Sequence, residues 1–247
     1  MSASYYFVSD VHLGLNVGDP RERELAFVSF LKSLPKETKA LYLLGDIFDF
    51  WFEYRDVVPK GYVRTLGELA RLCDEGVEVY FFKGNHDCWT FGYLEAELGV
   101  KVLDQPYVTE IDGKVFCLGH GDGLWGEDKV YKIMRNFFRS KICIFLFSLL
   151  HSRIAFMFGS GWSRKRRLKY GSSYNFRGEE DSLYKFANEF GKDKKIDYYI
   201  FGHIHSPAKI NIPSGGIMYV LGDWMKDRDY LNFSGRTISG GSLKKME

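Results

Sequence analysis

The sequence predicts an α/β protein in which short buried strands alternate with amphipathic helices. Five short apolar runs, each closed by glycine and polar residues, recur along the chain, and helical patterns lie between several of them. Alternation of these two element types is typical of layered α/β folds. The chain has 247 residues, of which 45% are hydrophobic. That is enough for one large domain, or one domain with an insertion, around a sizeable core.

Each of the five apolar runs is predicted to form a buried strand. The runs are rich in Tyr, Phe and Val and are short, as expected for strands covered on both faces. In chain order they read YYFVSDVH from residue 5, ALYLLGD from residue 40, VEVYFFKGNHD from residue 77, KVFCLGHGD from residue 114 and YYIFGHIH from residue 198. The Asp112-Gly113 pair before the fourth run is typical of a β-hairpin turn.

Two of the stretches between these runs show the spacing of a buried helix face. Apolar residues recur there three or four positions apart, which brings them to the same side of a helix. The positions are Leu25, Val28, Leu31 and Leu34 in the first stretch, and Leu66, Leu69, Ala70 and Leu72 in the second. The chain after Trp224 is polar and rich in Gly and Ser, and no element is predicted there.

Composition also indicates a cellular compartment. The four cysteines are scattered without a Cys-x-x-Cys pair, which argues against a disulfide framework or a cysteine zinc site and suits a reducing compartment. The N-terminal residues lack the pattern of a secretory signal. No run reaches the roughly 18 apolar residues of a membrane-spanning helix. A cytoplasmic protein is therefore expected.

A segment at about residues 124–178 interrupts the strand rhythm and is predicted to be an insertion, which we call the lid. Residues 129–178 hold twelve of the 34 basic residues, none of the 32 acidic ones, and eleven aromatic residues. The rest of the chain is therefore acidic, with 22 basic and 32 acidic residues.

Three interpretations of the lid follow from its composition. It could be a helical hairpin whose apolar face packs on the core. Bulky apolar residues beside Lys and Arg are also typical of a segment that lies in an anionic membrane surface. A basic, aromatic strip could instead bind single-stranded nucleic acid. The run ICIFLFSLLHSRIAFMF, residues 142–158, favours lipid, and His151 within it is interpreted as a packing or headgroup-facing residue rather than a metal ligand.

Polar side chains follow every predicted strand at the point where it ends. Ligands bind outside the carboxyl ends of strands in α/β sheets, and side chains two apart in an extended segment share a face. We therefore expect these side chains to converge at one edge of the sheet. They are Asp10 and His12, Asp46 and Asp49, Asn85 and His86, His120 and Asp122, and His203 and His205.

This residue set indicates a metal centre. Any one Asp or Asn at a strand end is more often a turn or cap residue, but five strand ends with such residues point to a shared ligand. Histidine, carboxylate and amide ligands without cysteine suit Mn, Fe or Zn. They are too many for one tetrahedral ion, whereas two ions sharing a bridging carboxylate would use them all. A pair of ions about 3.5–4 Å apart is a common arrangement for displacement at phosphorus.

The ordered motifs DVH, GD, GNHD, GHGD and GHIH resemble those of the calcineurin-like metallophosphoesterases, over about residues 5–123 and 197–224. The resemblance implies a four-layer α/β/β/α sandwich, here a single domain over residues 1–247 with the helical lid inserted. It also implies a pair of divalent ions, with manganese expected and iron or zinc also compatible.

The resemblance assigns roles to the strand-end residues. One ion would be bound by Asp10, His12, Asp46 and His205. The other would be bound by Asp46, Asn85, His120 and His203, so that Asp46 bridges the two. His86 would lie over the phosphate as the catalytic group, Asp49 would orient it by a hydrogen bond, and Gly84 would allow the sharp turn that presents Asn85 and His86.

Within this superfamily, the stretches GDIFDFWFEY, HGDGLWGEDKVYKIMRNFFR and LGDW look most similar to the UDP-2,3-diacylglucosamine pyrophosphatases of lipid A synthesis. That class releases UMP and a monophosphorylated glycolipid. The resemblance implies a lipid-linked sugar nucleotide as substrate and a peripheral position on the cytoplasmic face of the inner membrane, without a protein partner or nucleic acid. Candidate substrate or lid residues are Asp122, Asp128, Tyr131, Arg135, Arg139, Arg164, Arg166 and Arg167.

Two features depart from that class. Many of its members carry Arg where this chain has His86, and the lid lacks a clear match to the polar helix that contacts the sugar phosphate. Two other functions therefore stay open: a soluble nucleotide or nucleic-acid phosphodiesterase of the same superfamily, and a non-catalytic binding module on the same fold. The module is disfavoured because modules of that kind usually lose metal ligands, and none is missing here.

Overall fold

The structure is a computed structural model, and it describes residues 3–126, 129–157, 159, 161, 175–226 and 228–243, with the backbone alone at 129–132. Eleven strands lie in these ranges: β1 Ser4–Val8, β2 Thr38–Leu43, β3 Glu78–Phe82, β4 Lys101–Leu103, β5 Tyr107–Ile111, β6 Lys114–Leu118, β7 Tyr198–Phe201, β8 Ala208–Asn211, β9 Ile217–Val220, β10 Asp229–Ser234 and β11 Thr237–Ser242. The α-helices are α1 Pro20–Ser33, α2 Val63–Asp74, α3 Tyr93–Leu98, α4 Lys129–Phe138, α5 Lys141–Ser148 and α6 Ser182–Phe190.

The strands form two sheets. One has six strands in the order β11-β10-β1-β2-β3-β4, and the other has five in the order β5-β6-β7-β9-β8. Strands β1 to β4 run parallel to one another, as do β6, β7 and β9. The carboxyl ends of the five predicted strands, β1, β2, β3, β6 and β7, therefore lie on the central parallel part of each sheet.

Three apolar clusters give the molecule its four layers. The cluster between the sheets contains Phe7, Tyr42, Phe82, Phe116 and Phe233, among others. A second cluster packs α1, α2 and α3 on the outer face of the six-stranded sheet. A third packs α6 on the outer face of the five-stranded sheet. The predicted α/β/β/α layering is confirmed.

Helix α1 confirms the predicted face in part. Val28 and Leu31 are buried as predicted, together with Phe27 and Phe30, whereas Leu25 is 36% exposed. A strict three-residue repeat drifts around a helix of 3.6 residues per turn, so the aromatic residues decide the buried face. In α2 the predicted face is confirmed, since Leu66, Leu69 and Leu72 are buried.

The predicted hairpin is confirmed, whereas the chain after Trp224 holds two strands that the sequence did not indicate. Asp112 and Gly113, with φ of 46° and 76°, join the antiparallel strands β5 and β6. Strands β10 and β11 extend the six-stranded sheet beside β1. Strand β11 is polar and Gly/Ser-rich and lies at the edge of the sheet, and an edge strand gives a weak apolar signal.

Part of the lid packs on the core through aromatic side chains. The ring of Phe147 lies 4.9 Å from both Phe52 and Trp89, and Phe156 lies 5.2 Å from Phe50. The opposite side of these helices is apolar and exposed, as described below. In the described part of the chain, no helix is long and apolar enough to cross a membrane.

Candidate metal centre

The loops after the strands hold several of the predicted ligands in an unusual backbone conformation. Asp10, His12, Asp46, His203 and His205 have φ between 48° and 72°, the left-handed region that side chains other than Gly seldom adopt. Such outliers persist only where the surrounding structure enforces them, and they cluster at functional sites. Five of the nine non-Gly residues with positive φ in the described ranges are thus among the seven predicted ligands.

Gly84 has a role beyond the predicted sharp turn. Its φ is not positive, but a Cβ at this position would lie 2.2 Å from Oδ1 of Asp46. Gly84 is therefore required for close approach of the β3 loop to the β2 loop. Gly45 combines both requirements, since its φ is 84° and a Cβ would meet the His120 ring at 2.8 Å.

Asp87 organises the same pair of loops. Its buried carboxylate accepts four backbone N–H groups, from Asp46 (3.1 Å), Ile47 (2.8 Å), Phe48 (3.2 Å) and Gly84 (2.9 Å). One side chain thus pairs donors that would otherwise be buried without an acceptor. Sequence reasoning assigned Asp87 no role, because an Asp in a polar loop gives no sign of which N–H groups it will meet.

The ligands predicted for the first ion lie around Asp10 and Asp46. Nε2 of His12 lies 3.6 Å from Oδ1 of Asp10 and 3.7 Å from Oδ2 of Asp46. Nε2 of His205 lies 3.2 Å from the same Oδ1 of Asp10. The structure therefore brings Asp10, His12, Asp46 and His205 together at one point.

The second predicted group closes around His120 and shares Asp46 with the first. Nε2 of His120 lies 3.4 Å from Oδ2 of Asp46, 3.2 Å from Oδ1 of Asn85 and 3.3 Å from Nδ1 of His203. The oxygen that faces His120 is the oxygen that faces His12. Asp46 Oδ2 therefore lies between the two groups, where the resemblance placed the bridging ligand.

The spacing of these donor atoms fits a pair of divalent cations. Two ligands that each lie about 2.1 Å from a tetrahedral or octahedral ion are separated by roughly 3.0–3.4 Å. The six separations given above run from 3.2 to 3.7 Å, and several are too long for hydrogen bonds. Buried carboxylate, amide and imidazole donors at these separations suit Mn, Fe or Zn.

Hydrogen bonds outside the two groups fix the orientation of the ligands. Nδ1 of His120 lies 2.9 Å from the carbonyl oxygen of Leu44, which directs Nε2 to the centre. Nδ1 of His205 lies 3.2 Å from Oδ2 of Asp223. Oδ2 of Asp10 accepts the hydroxyl of Ser9 and the N–H of His203. Partners of this kind set the tautomer and the direction of metal-binding imidazoles.

The electrostatics of the centre favour charge on its shared carboxylate. Burial opposes ionisation of Asp46, but the His120 and His86 imidazoles hold the pKa of that carboxyl well below its usual range. Burial likewise opposes charge on His120, but the Asp46 carboxylate raises the pKa of His120 to about 10. Burial, aided by the charge of His120, lowers the pKa of His203 to about 4. Cations and protons therefore compete for the same atoms, and metal binding releases protons.

His86 lies beside the two groups with one ring edge fixed. Its Nδ1 is 2.9 Å from the backbone carbonyl oxygen of Asp49 and 3.7 Å from Oδ1 of the same residue. The Asp49 carboxylate lies closer to Nδ1 of His12, at 3.4 Å. The hydrogen bond that orients His86 therefore comes from the Asp49 backbone. Nε2 of His86 is 3.9 Å from Oδ2 of Asp46, the longest of these separations.

The remaining candidates fall into two sets. Asp122, Arg135 and Arg139 meet in one cluster next to His120. The Tyr131 side chain, Asp128, Arg164, Arg166 and Arg167 lie outside the described residues. His151 is exposed rather than packed, and its Nδ1 accepts the N–H of Arg153.

Substitution of Asp223 tests whether the residues that orient the ligands affect metal binding, because Asp223 contacts His205. Asp223→Asn keeps an acceptor for the N–H groups of Met225 and Lys226, which bind Oδ1, but it removes the charge that faces His205. We expect metal affinity to fall about 10–100-fold, as measured by titration of the metal-free protein. Thermal unfolding without metal should change little, and an unchanged metal affinity would contradict this role.

Comparisons with known proteins agree with the geometry. The sequence profile described as "Calcineurin-like phosphoesterase" matches residues 3–207. A Porphyromonas gingivalis protein named UDP-2,3-diacylglucosamine hydrolase is 37% identical and covers 100% of both chains. A protein of the same name from Stenotrophomonas maltophilia is 30% identical over 95% of each chain. Among solved structures, a phosphoesterase from E. coli, Yfce, has a TM-score of 0.44 and 12% identity, covering 98% of this chain and all of that one.

The profile match spans most of the chain, and the two relatives match it over nearly their whole lengths. The prediction drawn from the five ordered motifs is therefore confirmed at the level of the family. Enzymes of this family bind two divalent metal ions, and the structure holds buried Asp and His groups of the matching kind. The chain belongs to the calcineurin-like phosphoesterase family.

Proposed function

We propose that this enzyme hydrolyses the pyrophosphate of UDP-2,3-diacylglucosamine, giving UMP and 2,3-diacylglucosamine 1-phosphate. Water attacks one phosphorus and the P–O bond to the bridging oxygen breaks, so that the attacked phosphate gains the oxygen of water and the other phosphate keeps the bridging oxygen. The observation that carries the proposal is the shared position of Asp46 between two donor groups. Whole-length similarity to two proteins named as hydrolases of this compound supports the substrate.

The chain's own residues divide the work between binding and proton control. Asp10, His12, Asp46 and His205 would hold one cation, and Asp46, Asn85, His120 and His203 the other. Bound there, the two ions polarise the phosphate and supply a nucleophile at neutral pH. His86 faces the same space, and its Nδ1 lies 2.9 Å from the Asp49 carbonyl oxygen. Nδ1 therefore carries a proton in this contact, and the doubly protonated imidazolium would donate from Nε2 to the phosphate oxygens or the leaving oxygen.

Manganese is the proposed metal. The donor set mixes four imidazoles with two carboxylates and one amide, and no cysteine takes part. Such a set binds borderline or hard divalent ions, and carboxylate and amide oxygens favour Mn²⁺ among them. Metal-free protein reconstituted in turn with Mn²⁺, Fe²⁺ and Zn²⁺ should bind close to two ions per chain, with the highest turnover for Mn²⁺.

The exposed face of the lid suits an acylated substrate. Nine of the fourteen large hydrophobic side chains that are exposed in the described part of the chain lie between residues 133 and 157. We call them the apolar lid surface; they are Ile133, Phe137, Ile142, Phe145, Leu146, Leu149, Leu150, Ile154 and Met157. A soluble protein rarely exposes so many without a partner. Acyl chains and the membrane that supplies them are partners of the required chemistry.

Release of UMP from UDP-2,3-diacylglucosamine tests the function directly. The assay is run beside UDP-N-acetylglucosamine, which lacks acyl chains, and beside single-stranded DNA and RNA. The proposed function predicts strong preference for the acylated compound. Equal turnover of acylated and non-acylated sugar nucleotides, or cleavage of single strands, would favour the nucleotide or nucleic-acid phosphodiesterase instead.

Contact of the apolar lid surface with a membrane gives a separate prediction. Replacing Ile142, Phe145, Leu146 and Leu149 together by Ser should weaken co-sedimentation with anionic vesicles roughly 100-fold or more, because each side chain buried at the acyl boundary contributes about 1 kcal/mol. Replacing Val57 and Val63, which are exposed outside the lid at 53% and 75%, is the matched control. Equal sedimentation of the two variants would contradict membrane contact by the lid. The membrane proposed for this contact is the cytoplasmic face of the inner membrane.

A further inference from the structure

Two arginines from the end of α4 converge on one buried carboxylate beside the centre. Nη2 of Arg139 lies 3.4 Å from Oδ2 of Asp122, and Nη1 of Arg135 lies 3.9 Å from the same oxygen. Nη1 of Arg135 also donates to the Asp122 carbonyl oxygen at 3.1 Å. Asp122 is fully buried, and its Oδ1 accepts the amide of Gln105 at 2.6 Å.

This cluster has more positive charge than its carboxylate neutralises. Two guanidinium groups face one carboxylate whose other oxygen is occupied by Gln105. Nε of Arg135 is buried and has no hydrogen-bond partner among the described residues, although a buried donor without an acceptor is unfavourable. The side chains of Arg135 and Arg139 are 26% and 31% exposed to solvent. The cluster therefore has donors and charge left for an anion.

The cluster is held next to the loops that carry the predicted ligands. Asp122 is two residues after His120, and its neighbour Gly121 donates its N–H to Gln105. On the other side, Nε1 of Trp89 donates to the carbonyl oxygen of Phe138 at 2.9 Å, which joins the end of α4 to the loop that contains His86. Helix α4 thus spans the loops after β3 and β6.

We infer that Arg135 and Arg139 form a subsite for the second phosphate of a pyrophosphate substrate, the one that is not attacked. The inference rests on the proposed function for its substrate. A planar guanidinium binds two phosphate oxygens at once. Asp122 contacts the guanidinium groups of both arginines and so orients them. The subsite selects substrates with two linked phosphates over diesters of a single phosphate.

Equilibrium binding tests this assignment without turnover. Methylenediphosphonate carries two phosphorus groups and is not hydrolysed, and inorganic phosphate carries one. Titration calorimetry of the metal-loaded enzyme should show preference for methylenediphosphonate. Arg135→Gln and Arg139→Gln should each lower its affinity about 10–100-fold while changing phosphate affinity less than about 3-fold. Arg139→Lys should recover only part of the loss, because Lys keeps the charge and lacks the fork.

Kinetics with two substrates separates the subsite from a purely structural contact between α4 and the core. Arg139→Gln should lower kcat/KM for UDP-2,3-diacylglucosamine about 100-fold and leave cleavage of bis(4-nitrophenyl) phosphate within about 3-fold. Arg64→Gln makes the same charge change on an exposed residue of α2, outside the lid, and should leave both rates unchanged. Equal losses for both substrates, or none for either, would overturn the subsite.

The binding experiment also distinguishes failure of the subsite from failure of the proposed function. Loss of methylenediphosphonate preference in the arginine variants would support the subsite even if the wild-type enzyme released no UMP. Release of UMP by the wild type with an unchanged diphosphonate preference in the variants would leave the function standing and overturn the subsite.

Discussion

Asp46→Asn is expected to lower turnover of any phosphoester at least about 10³-fold, which exceeds the 10–100-fold effect of losing a residue that only supports a ligand. The substitution keeps the shape of the side chain and an oxygen that can accept the N–H of His86, which now bonds to Oδ1 at 2.8 Å. It removes the negative charge and turns an N–H₂ group toward the imidazoles of His12 and His120. Two donor groups therefore lose their shared oxygen in one step.

Metal analysis identifies the cause of that loss. Purified Asp46→Asn protein should bind well under two ions per chain under conditions that saturate the wild type. Asp104→Asn is the matched control, because Asp104 is 78% exposed and pairs with Lys83 at the surface; this variant should keep full metal content and turnover. Wild-type activity in Asp46→Asn, or in metal-free wild type, would contradict the shared-ligand assignment.

The centre could be predicted from the sequence because its residues follow strands that the sequence marks clearly. The runs that end at Asp10, Asp46, Asn85, His120 and His203 are all apolar enough to be recognised, and parallel strands carry their ends to a common edge. The structure brings these five residues together as expected. The sequence pattern predicted which strands carry donor residues at their carboxyl ends, and this was sufficient to predict that the donors lie together.

Other parts required contacts that a linear pattern does not contain. Asp87 and Asp223 act through backbone N–H groups and a histidine that are distant in sequence, so nothing local marks them. Strands β10 and β11 were missed: β11 is an edge strand of Gly, Ser and Thr with one Ile, and β10 offers only three apolar residues among polar ones. The composition of the lid predicted an unusual segment but not which side chains would be buried. The structure shows that one apolar face packs on Phe52 and Trp89 and that the other is exposed.

The link between the lid and the centre also came only from the structure. Arg135 and Arg139 were candidates because they lie in a basic segment near GHGD. Their common contact with Asp122 depends on the four-residue spacing of α4, which places both side chains on one face. The same geometry explains why a Cβ at Gly123 would collide with the Arg135 guanidinium. Gly123 also has a φ of 70°, a backbone conformation that favours glycine.

His86→Ala is expected to lower turnover about 10²–10⁴-fold with both metal ions still bound. The physical reason is the position of the ring. Nδ1 contacts the Asp49 carbonyl oxygen, so Nε2 faces the two donor groups. The side chain is 21% exposed, which leaves it accessible to substrate. Its separation of 3.9 Å from Asp46 Oδ2 is longer than any separation within the two donor groups. That difference favours contact with substrate over binding of metal.

Metal content and turnover must be measured on the same His86 samples, since His86 also forms a close group with His12 and Asp46 that could hold an ion. A catalytic His86 predicts full metal content and low turnover per bound ion in His86→Ala. His86→Arg should retain part of the activity, because a guanidinium can also donate charged N–H groups to a developing phosphate charge. If His86→Ala instead loses metal and keeps wild-type turnover per bound ion, His86 is a metal ligand and the catalytic assignment is wrong.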